Sequence, residues 1–324
     1  MQKSGLALTK GHAAQLPHLS HPAPALFLHA KPQMQKDPPT MQVTRPLHDR
    51  IALAFDFDET LGESSIGVLV RVMGLDMEEW QEEFRAPLDD ATWDSINARA
   101  YALITAGRAR GRPLSRDVLR EAAEEMKLYD EVCEMPERIR EAAHAVAPGV
   151  NVDFTVISCG YVDLIEHSKI RSCFDRIWGS SLHFDEKGDA VFIKRALTHP
   201  EKARYMEALS KGFSILGANA PESTTKAVAD EDKAVPPNQM IFVGDGASDL
   251  EAFQYVEANG GIAIAVRQNG GFAAAEKMHG RQRPTNLAPA SYAEGGEMMQ
   301  SLTYAVQSIA SRIALSRLGQ KGQG

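Results

Sequence analysis

The chain has 324 residues, of which 44% are hydrophobic, and its formal net charge is −8. That length and apolar content suffice for a substantial core, in one large domain or two modest ones. The negative charge argues against sequence-independent nucleic-acid binding, and no stretch reaches the roughly 20 apolar residues of a membrane span. We therefore expect no nucleic-acid partner and no membrane association, while the oligomeric state stays open.

The first 48 residues differ in composition from the rest of the chain. They are rich in Pro, Gln and His, and Asp37 is their only acidic residue. We predict a disordered tail over residues 1–48, without a secretory signal. The three cysteines, Cys133, Cys159 and Cys173, have no metal-binding spacing and are odd in number. This pattern favours a reducing compartment, so we expect a cytoplasmic protein.

Two acidic residues, Asp56 and Asp58, directly follow the unbroken apolar run 51–55. Such a run predicts a buried central strand of a parallel sheet, and ligands of these sheets bind at the carboxyl ends of the strands. Two unit charges roughly 4 Å apart repel by about 4 kcal/mol at an effective dielectric near 20, so the pair requires a cation, a shared proton or a role in phosphoryl transfer. A simple helix cap at Asp58 explains the pattern equally well.

A second acidic cluster follows the apolar run 240–243. Asp245 lies there between Gly244 and Gly246, where no bulky neighbour hinders access to a metal ion. Asp249 falls in the first turn of the next predicted helix, and a capping role explains it equally well. Carboxylate oxygens of this kind suit Mg²⁺.

A predicted strand at 154–157 leads into Ser158 and Gly160. A hydroxyl and backbone amides at a strand-to-helix turn suit an anion, although a serine cap is the simpler alternative.

Thr198 and Glu201 have the spacing of a capping box, which predicts a helix that begins near Lys202. A cation in a first helical turn is disfavoured by about 0.3–1 kcal/mol. This break of a local rule suggests a function for Lys202, although most lysines are simply exposed.

In chain order, these four groups resemble the motifs of the haloacid dehalogenase-like (HAD) superfamily, and within it the phosphoserine phosphatase-like phosphohydrolases. The resemblance covers about residues 50–266 and has two departures: Glu59 where glycine is common, and Ser248 where asparagine is frequent. It implies an α/β fold, a Rossmann-like three-layer sandwich with a parallel central sheet, plus an inserted α-helical cap domain.

The resemblance also implies a reaction, the hydrolysis of a small phosphomonoester through an aspartyl-phosphate intermediate. Asp56 would be the nucleophile, and Asp58 would protonate the leaving oxygen and then activate water. Mg²⁺ would be held by Asp56, the backbone carbonyl of Asp58 and Asp245, with Asp249 in support. The phosphoryl oxygens would be bound by Ser158, Gly160 and Lys202. The partner would be a small phosphorylated metabolite.

The same resemblance and the local patterns predict the organisation of the chain. The catalytic core is expected at 49–61 and 134–285, the cap at 62–133 and a C-terminal helical extension at 286–324. Apolar periodicity predicts cap helices at 66–73, 77–85, 91–106 and 118–128, and a core helix at 136–146. We further expect strands at 174–184, 190–193 and 261–266, a loop at 217–238, and a last helix with an apolar stripe of Leu302, Val306, Ile309 and Ile313.

Other activities on this scaffold stay open. A phosphomutase would keep every motif. Dehalogenases share the nucleophile but not the magnesium cluster, and phosphonate-cleaving relatives use a cap lysine, whereas Lys127 is the only lysine between residues 61 and 150. A catalytically idle binding module is the alternative from another class.

Overall fold

The computed structural model describes residues 48–215, 224–267 and 284–321. The predicted tail therefore lies outside the described residues except for His48, as do residues 217–223 of the predicted loop. Within the described ranges, the strands are β1 (Arg50–Phe55), β2 (Asn151–Tyr161), β3 (Arg176–Phe184), β4 (Ala190–Arg195), β5 (Met240–Gly244), β6 (Ile262–Arg267) and β7 (Asn286–Pro289).

These strands form one sheet in the order β4-β3-β2-β1-β5-β6-β7. All neighbours are parallel except β3 and β4, which form an antiparallel hairpin. Residues of β1 alternate between two hydrophobic clusters: Leu53 packs with one cluster, whereas Ala52 and Ala54 pack with the other. Because successive strand residues point to opposite faces, the sheet is covered on both sides. The predicted α/β fold class is confirmed.

Helices cover both faces. They are α1 (Ser65–Val72), α2 (Met77–Trp80), α3 (Ala86–Asp90), α4 (Ser95–Ala109), α5 (Arg116–Glu125), α6 (Met135–Val146), α7 (Val162–Ile165), α8 (Glu201–Lys211), α9 (Leu250–Ala258) and α10 (Glu297–Lys321). The core helix predicted at 136–146 is α6, and the last predicted helix lies within α10. The four buried residues of its apolar stripe pack into the hydrophobic core.

The predicted cap contains α1 to α5. The helix predicted at 77–85 consists of α2 and a π-helical turn, Gln81–Arg85. The helix predicted from residue 91 begins only at Ser95, because Thr92 has a left-handed backbone and Asp94 caps α4 through the amides of Ile96 and Asn97. The sheet and these helices fall in one compact unit, Thr44–Gly324, so the cap boundaries stay a prediction.

Two further elements differ from the sequence predictions. Strand β2 continues to Tyr161, with an irregularity against β3 between Ser158 and Tyr161, so the expected turn after residue 157 is a bulged strand end. The C-terminal segment, predicted as a helical extension, first contributes β7 to the sheet and then packs α10 against α6 and β1.

The cysteine pattern favoured reduced thiols, whereas the structure joins Cys133 and Cys173 in a disulfide with a Cα–Cα distance of 5.4 Å. The odd count gave no hint of this pairing, because the two residues are 40 positions apart and meet only in the fold. Cys159 is a buried free thiol. Among the described residues, no helix combines the length and the apolar character that a membrane crossing requires.

Candidate active site

The predicted acidic residues meet at the carboxyl edge of the sheet. Phe55 of β1 is in register with Val243 of β5, and the amide of Asp56 donates to the Val243 carbonyl at 2.9 Å. Each strand then delivers its acid at the same edge. Carboxylate oxygens of Asp56, Asp245 and Asp249 lie within 4.8 Å of one another.

Lys202 lies in the middle of this acidic group. It is the second residue of α8, and its side chain is completely buried. Its Nζ is 2.9 Å from Asp56 Oδ2 and 2.6 Å from Asp249 Oδ1. Burial lowers the pKa of Lys202, whereas the carboxylates of Asp249 and Asp56 together raise it by a larger amount. The net shift is upward, so the lysine stays charged. The unusual position of Lys202 in its helix is thus explained by its two carboxylate partners.

Asp249 anchors the loop that carries Asp245. Its Oδ2 accepts hydrogen bonds from the amides of Asp245 at 3.0 Å and Gly246 at 3.3 Å, and from Ser248 Oγ at 3.4 Å. A Cβ at Gly244 would overlap the Asp249 carboxylate, so this position requires glycine. Both oxygens of Asp249 are already bonded. This geometry suits a role of Asp249 in supporting the loop better than direct coordination of a metal ion by Asp249, and the role stays a prediction.

The group has an excess of negative charge. One lysine faces three carboxylates, and burial, together with Asp249 and Asp56, raises the pKa of Asp245 to about 8. Burial also raises the pKa of Asp56, against the opposing effect of Lys202. Asp56 Oδ1 is buried and has no hydrogen-bond partner among the described residues. A hard divalent cation such as Mg²⁺ matches this donor set, because it supplies the missing positive charge to carboxylate oxygens.

Asp58 faces away from that group, toward the start of α1. Its Oδ1 accepts a hydrogen bond from the Ser65 amide at 2.5 Å. Burial raises its pKa, more than the Ser65 amide lowers it. A carboxyl group with a raised pKa suits a proton donor. The carboxylate of Asp58 does not belong to the group formed by the carboxylates of Asp56, Asp245 and Asp249. The predicted magnesium contact of Asp58 therefore depends on its backbone carbonyl and stays a prediction.

Ser158 and Gly160 lie beside Asp58. The sequence suggested a Gly160 amide that is open to an anion. In the structure this amide instead donates a hydrogen bond to Ser158 Oγ at 3.0 Å. A Cβ at Gly160 would lie 3.0 Å from Asp58 Oδ2 and 3.2 Å from Ser158 Oγ. Glycine at this position therefore allows the acid and the hydroxyl to approach each other.

A cleft of about 360 Å³ opens over these residues. Its core wall includes Asp56, Asp58, Ser158, Asp245 and His199, and its cap wall includes Ile66, Trp80, Gln81, Arg85, Ser95 and Arg99. Arg99 makes no hydrogen bond or ion pair within the described ranges, and neither does Trp80 Nε1. Burial, Lys202 and Arg99 lower the pKa of His199, which favours the neutral ring.

Sequence reasoning missed Arg99 and His199. The available signal for His199 was its position three residues before Lys202. Arg108, Arg110 and Arg112, which are close in sequence to Arg99, do not line the cleft, and Arg110 pairs with Glu79 and Glu83. Trp80 is buried and also lines the cleft.

Solved structures of HAD-family hydrolases and phosphatases share this fold. No protein-family model matches the sequence, and no curated protein matches it. A HAD-family hydrolase from Salmonella enterica serovar Typhi superposes with a TM-score of 0.53 at 16% identity, over 79% of this chain and 72% of that one.

Two phosphoserine phosphatase structures show the same similarity. An apo phosphoserine phosphatase has a TM-score of 0.51 at 16% identity, over 79% of this chain and 98% of that one. A probable phosphoserine phosphatase from Vibrio cholerae has a TM-score of 0.51 at 16% identity, over 83% and 67% of the two chains. At this level of identity the similarity establishes the fold, and the activity must be argued from the site.

Proposed function

We propose that the protein is a magnesium-dependent phosphohydrolase that cleaves a small phosphomonoester through an aspartyl-phosphate. The observation that carries this proposal is the carboxylate of Asp56, held by Lys202 through one oxygen and without a partner at the other, at the base of a cleft. A buried carboxylate with an available oxygen is what nucleophilic attack on phosphorus requires. The fold shared with phosphoserine phosphatases supports the same reaction class.

The first half-reaction transfers the phosphoryl group to the protein. An oxygen of Asp56 attacks phosphorus while the bond between phosphorus and the leaving oxygen breaks. Asp58 gives its proton to that leaving oxygen, which departs as an alcohol. The Ser158 hydroxyl and Lys202 would bind phosphoryl oxygens as negative charge builds on them.

The second half-reaction restores the protein. Asp58, now ionised, takes a proton from a water molecule as this water attacks phosphorus, and the bond to Asp56 breaks with release of inorganic phosphate. Such acid and base assistance is typically worth about 10²–10⁴-fold. Asp56 and Asp245 would hold Mg²⁺, which when bound offsets the repulsion between the anionic nucleophile and the anionic phosphate.

Turnover of p-nitrophenyl phosphate by the purified protein, with magnesium or with EDTA, tests the proposal. We expect magnesium-dependent release of inorganic phosphate, and free phosphate in the product also separates a hydrolase from a mutase. Asp56→Asn should reduce turnover by at least about 10³-fold because it removes the nucleophile. The matched control is Asp117→Asn, at an exposed residue that pairs with Arg120.

Two results would contradict the proposal. One is the absence of turnover with magnesium across a panel of phosphorylated metabolites. The other is Asp56→Asn activity within tenfold of the unaltered protein, which would remove Asp56 as the nucleophile.

A further inference from the structure

We propose that Tyr292, from the segment between β7 and α10, is a positioning residue for Asp58. The inference rests on the proposed function, because it concerns the proton donor of that reaction. Tyr292 is completely buried although it follows Asp58 by more than two hundred residues. Three of its contacts join it to parts of the chain that surround the site.

The first contact is with the turn that follows Asp58. The Tyr292 hydroxyl donates to the carbonyl of Thr60 at 3.0 Å. Among the described residues this is the hydrogen bond that satisfies the Thr60 carbonyl, since the other bonds of the turn use the carbonyls of Phe57, Leu61 and Gly62. Burial raises the pKa of Tyr292, so its hydroxyl remains protonated and remains a donor.

The second and third contacts extend this arrangement to β1 and to the cap. The Tyr292 ring packs edge-on against Phe55, the residue before Asp56, with centroids 6.3 Å apart. The Tyr292 amide donates to the Asp130 carbonyl at 3.0 Å, in the segment by which the chain returns from the cap. One side chain and its backbone therefore link the nucleophile strand, the turn after the proton donor and the end of the cap.

The turn itself requires such support. Glu59, directly after Asp58, has a left-handed backbone with φ of 56°, which is unfavourable for a residue with a side chain. A second tyrosine, Tyr129, donates its hydroxyl to Glu59 Oε2 at 3.1 Å. Two tyrosine hydroxyls thus hold two successive residues of a strained turn. Residues in such conformations persist only where the surroundings fix them.

The cap ends meet at the same place. Gly62 forms an antiparallel bridge with Leu128, and the Tyr129 amide donates to the Leu61 carbonyl at 2.9 Å. A Cβ at Gly62 would lie 2.7 Å from the Lys127 carbonyl oxygen, so this close approach requires glycine. Tyr292 does not line the cleft and belongs to the hydrophobic core, so it contacts the turn from the core, and in this proposal that contact holds the direction of Asp58.

The test uses Tyr292→Phe, which removes the hydroxyl and keeps the ring. The readout is kcat/KM for a series of substituted phenyl phosphates, because this constant reports the step in which Asp58 protonates the leaving oxygen. Poor leaving groups need that proton most. We expect kcat/KM to fall about 10-fold with phenyl phosphate, because the net free energy of one hydrogen bond corresponds to a rate factor of that size. With p-nitrophenyl phosphate we expect kcat/KM to fall less than about twofold. The plot of log kcat/KM against the pKa of the leaving group should be steeper for Tyr292→Phe than for the unaltered protein.

The controls separate positioning from folding. Tyr304→Phe, at an exposed tyrosine of α10, should leave both rates unchanged. Asp58→Asn gives the slope for complete loss of the proton donor. Should Tyr292→Phe fail to fold by circular dichroism, Tyr129→Phe removes the other hydroxyl on the same turn and should steepen the plot in the same direction.

The outcomes are distinct. Two results for Tyr292→Phe would overturn the role of Tyr292: an equal loss of kcat/KM for all phenyl phosphates, or a slope identical to that of the unaltered protein. If the unaltered protein hydrolyses these esters, either result leaves the proposed function standing. A wild-type protein that hydrolyses none of these esters would overturn both.

Discussion

The two walls of the cleft are built in opposite ways. Behind the core wall, Lys202 and Asp249 are buried and bonded to one another, and Asp56 of this wall forms an ion pair with Lys202. On the cap wall, Arg99 and the indole nitrogen of Trp80 have no bonding partner within the described ranges. Asp56 Oδ1 on the core wall has no partner among the described residues, and the acidic group there carries excess negative charge that suits a cation, whereas the cap wall contributes hydrogen-bond donors. Under the proposed function, the core wall takes part in the reaction and the cap wall contributes to the choice of substrate.

The comparison predicts the largest effect for a change in the bonded group behind the core wall. Lys202→Met would leave the buried carboxylates of Asp56 and Asp249 without their cation. We expect the free energy of unfolding to fall by about 3–5 kcal/mol, as for other broken buried ion pairs, with loss of turnover. Urea unfolding followed by circular dichroism measures this loss. Lys194→Met, at an exposed lysine of β4, is the matched control, and equal stability of the two variants would contradict the comparison.

A change on the cap wall should affect selection instead. Arg99→Met should lower kcat/KM by about 10- to 100-fold for phosphoesters whose leaving group carries a second anion, because a charged hydrogen bond is lost. The rate with p-nitrophenyl phosphate and the thermal stability should stay nearly unchanged. Arg110→Met, at a surface arginine paired with Glu79 and Glu83, serves as the control. A uniform loss over all substrates would show that Arg99 acts on the chemistry and not on selection.

The smallest expected effect, counted per pH unit, is a dependence of stability on pH without metal. The pKa of Asp245 is about 8 in the folded protein, against an ordinary value of 3.8. Between these values the folded state binds more protons than the unfolded state, so stability falls as pH rises, by at most about 1.4 kcal/mol per pH unit for this group. Thermal melting in EDTA from pH 5 to pH 8 measures the slope, which Asp245→Asn should reduce. Magnesium at pH 8 should raise the Tm of the unaltered protein, and no response to magnesium would argue against the metal site.

Asp56 and Asp245 of the core wall could be predicted from the sequence because they follow strands, whereas His199 of the same wall was missed. The apolar runs before Asp56 and Asp245 identified two parallel strands, and parallel strands end at one edge. Lys202 was identified by its unfavourable helical position, which its buried partners now explain. Each local pattern had a simpler structural alternative, and the order of the four motifs along the chain decided between them.

The cap wall and the support behind Asp58 could not be predicted in this way. Arg99 lies on a helix whose orientation is set by packing against other helices, which no spacing within α4 encodes. Tyr292 contacts Thr60 across 232 positions of the chain, and its segment was predicted as part of a helical extension. The Cys133–Cys173 bond was missed for the same reason. Tertiary contacts, and not local propensity, determine all three.

The bridge between Gly62 and Leu128 has one more consequence. The bridge consists of two hydrogen bonds, from the Glu63 amide to the Lys127 carbonyl and from the Tyr129 amide to the Leu61 carbonyl. It holds the two ends of the inserted helical segment side by side, next to the turn that carries Asp58. Changes within the inserted helices are therefore compatible with unchanged positions of both ends of the segment.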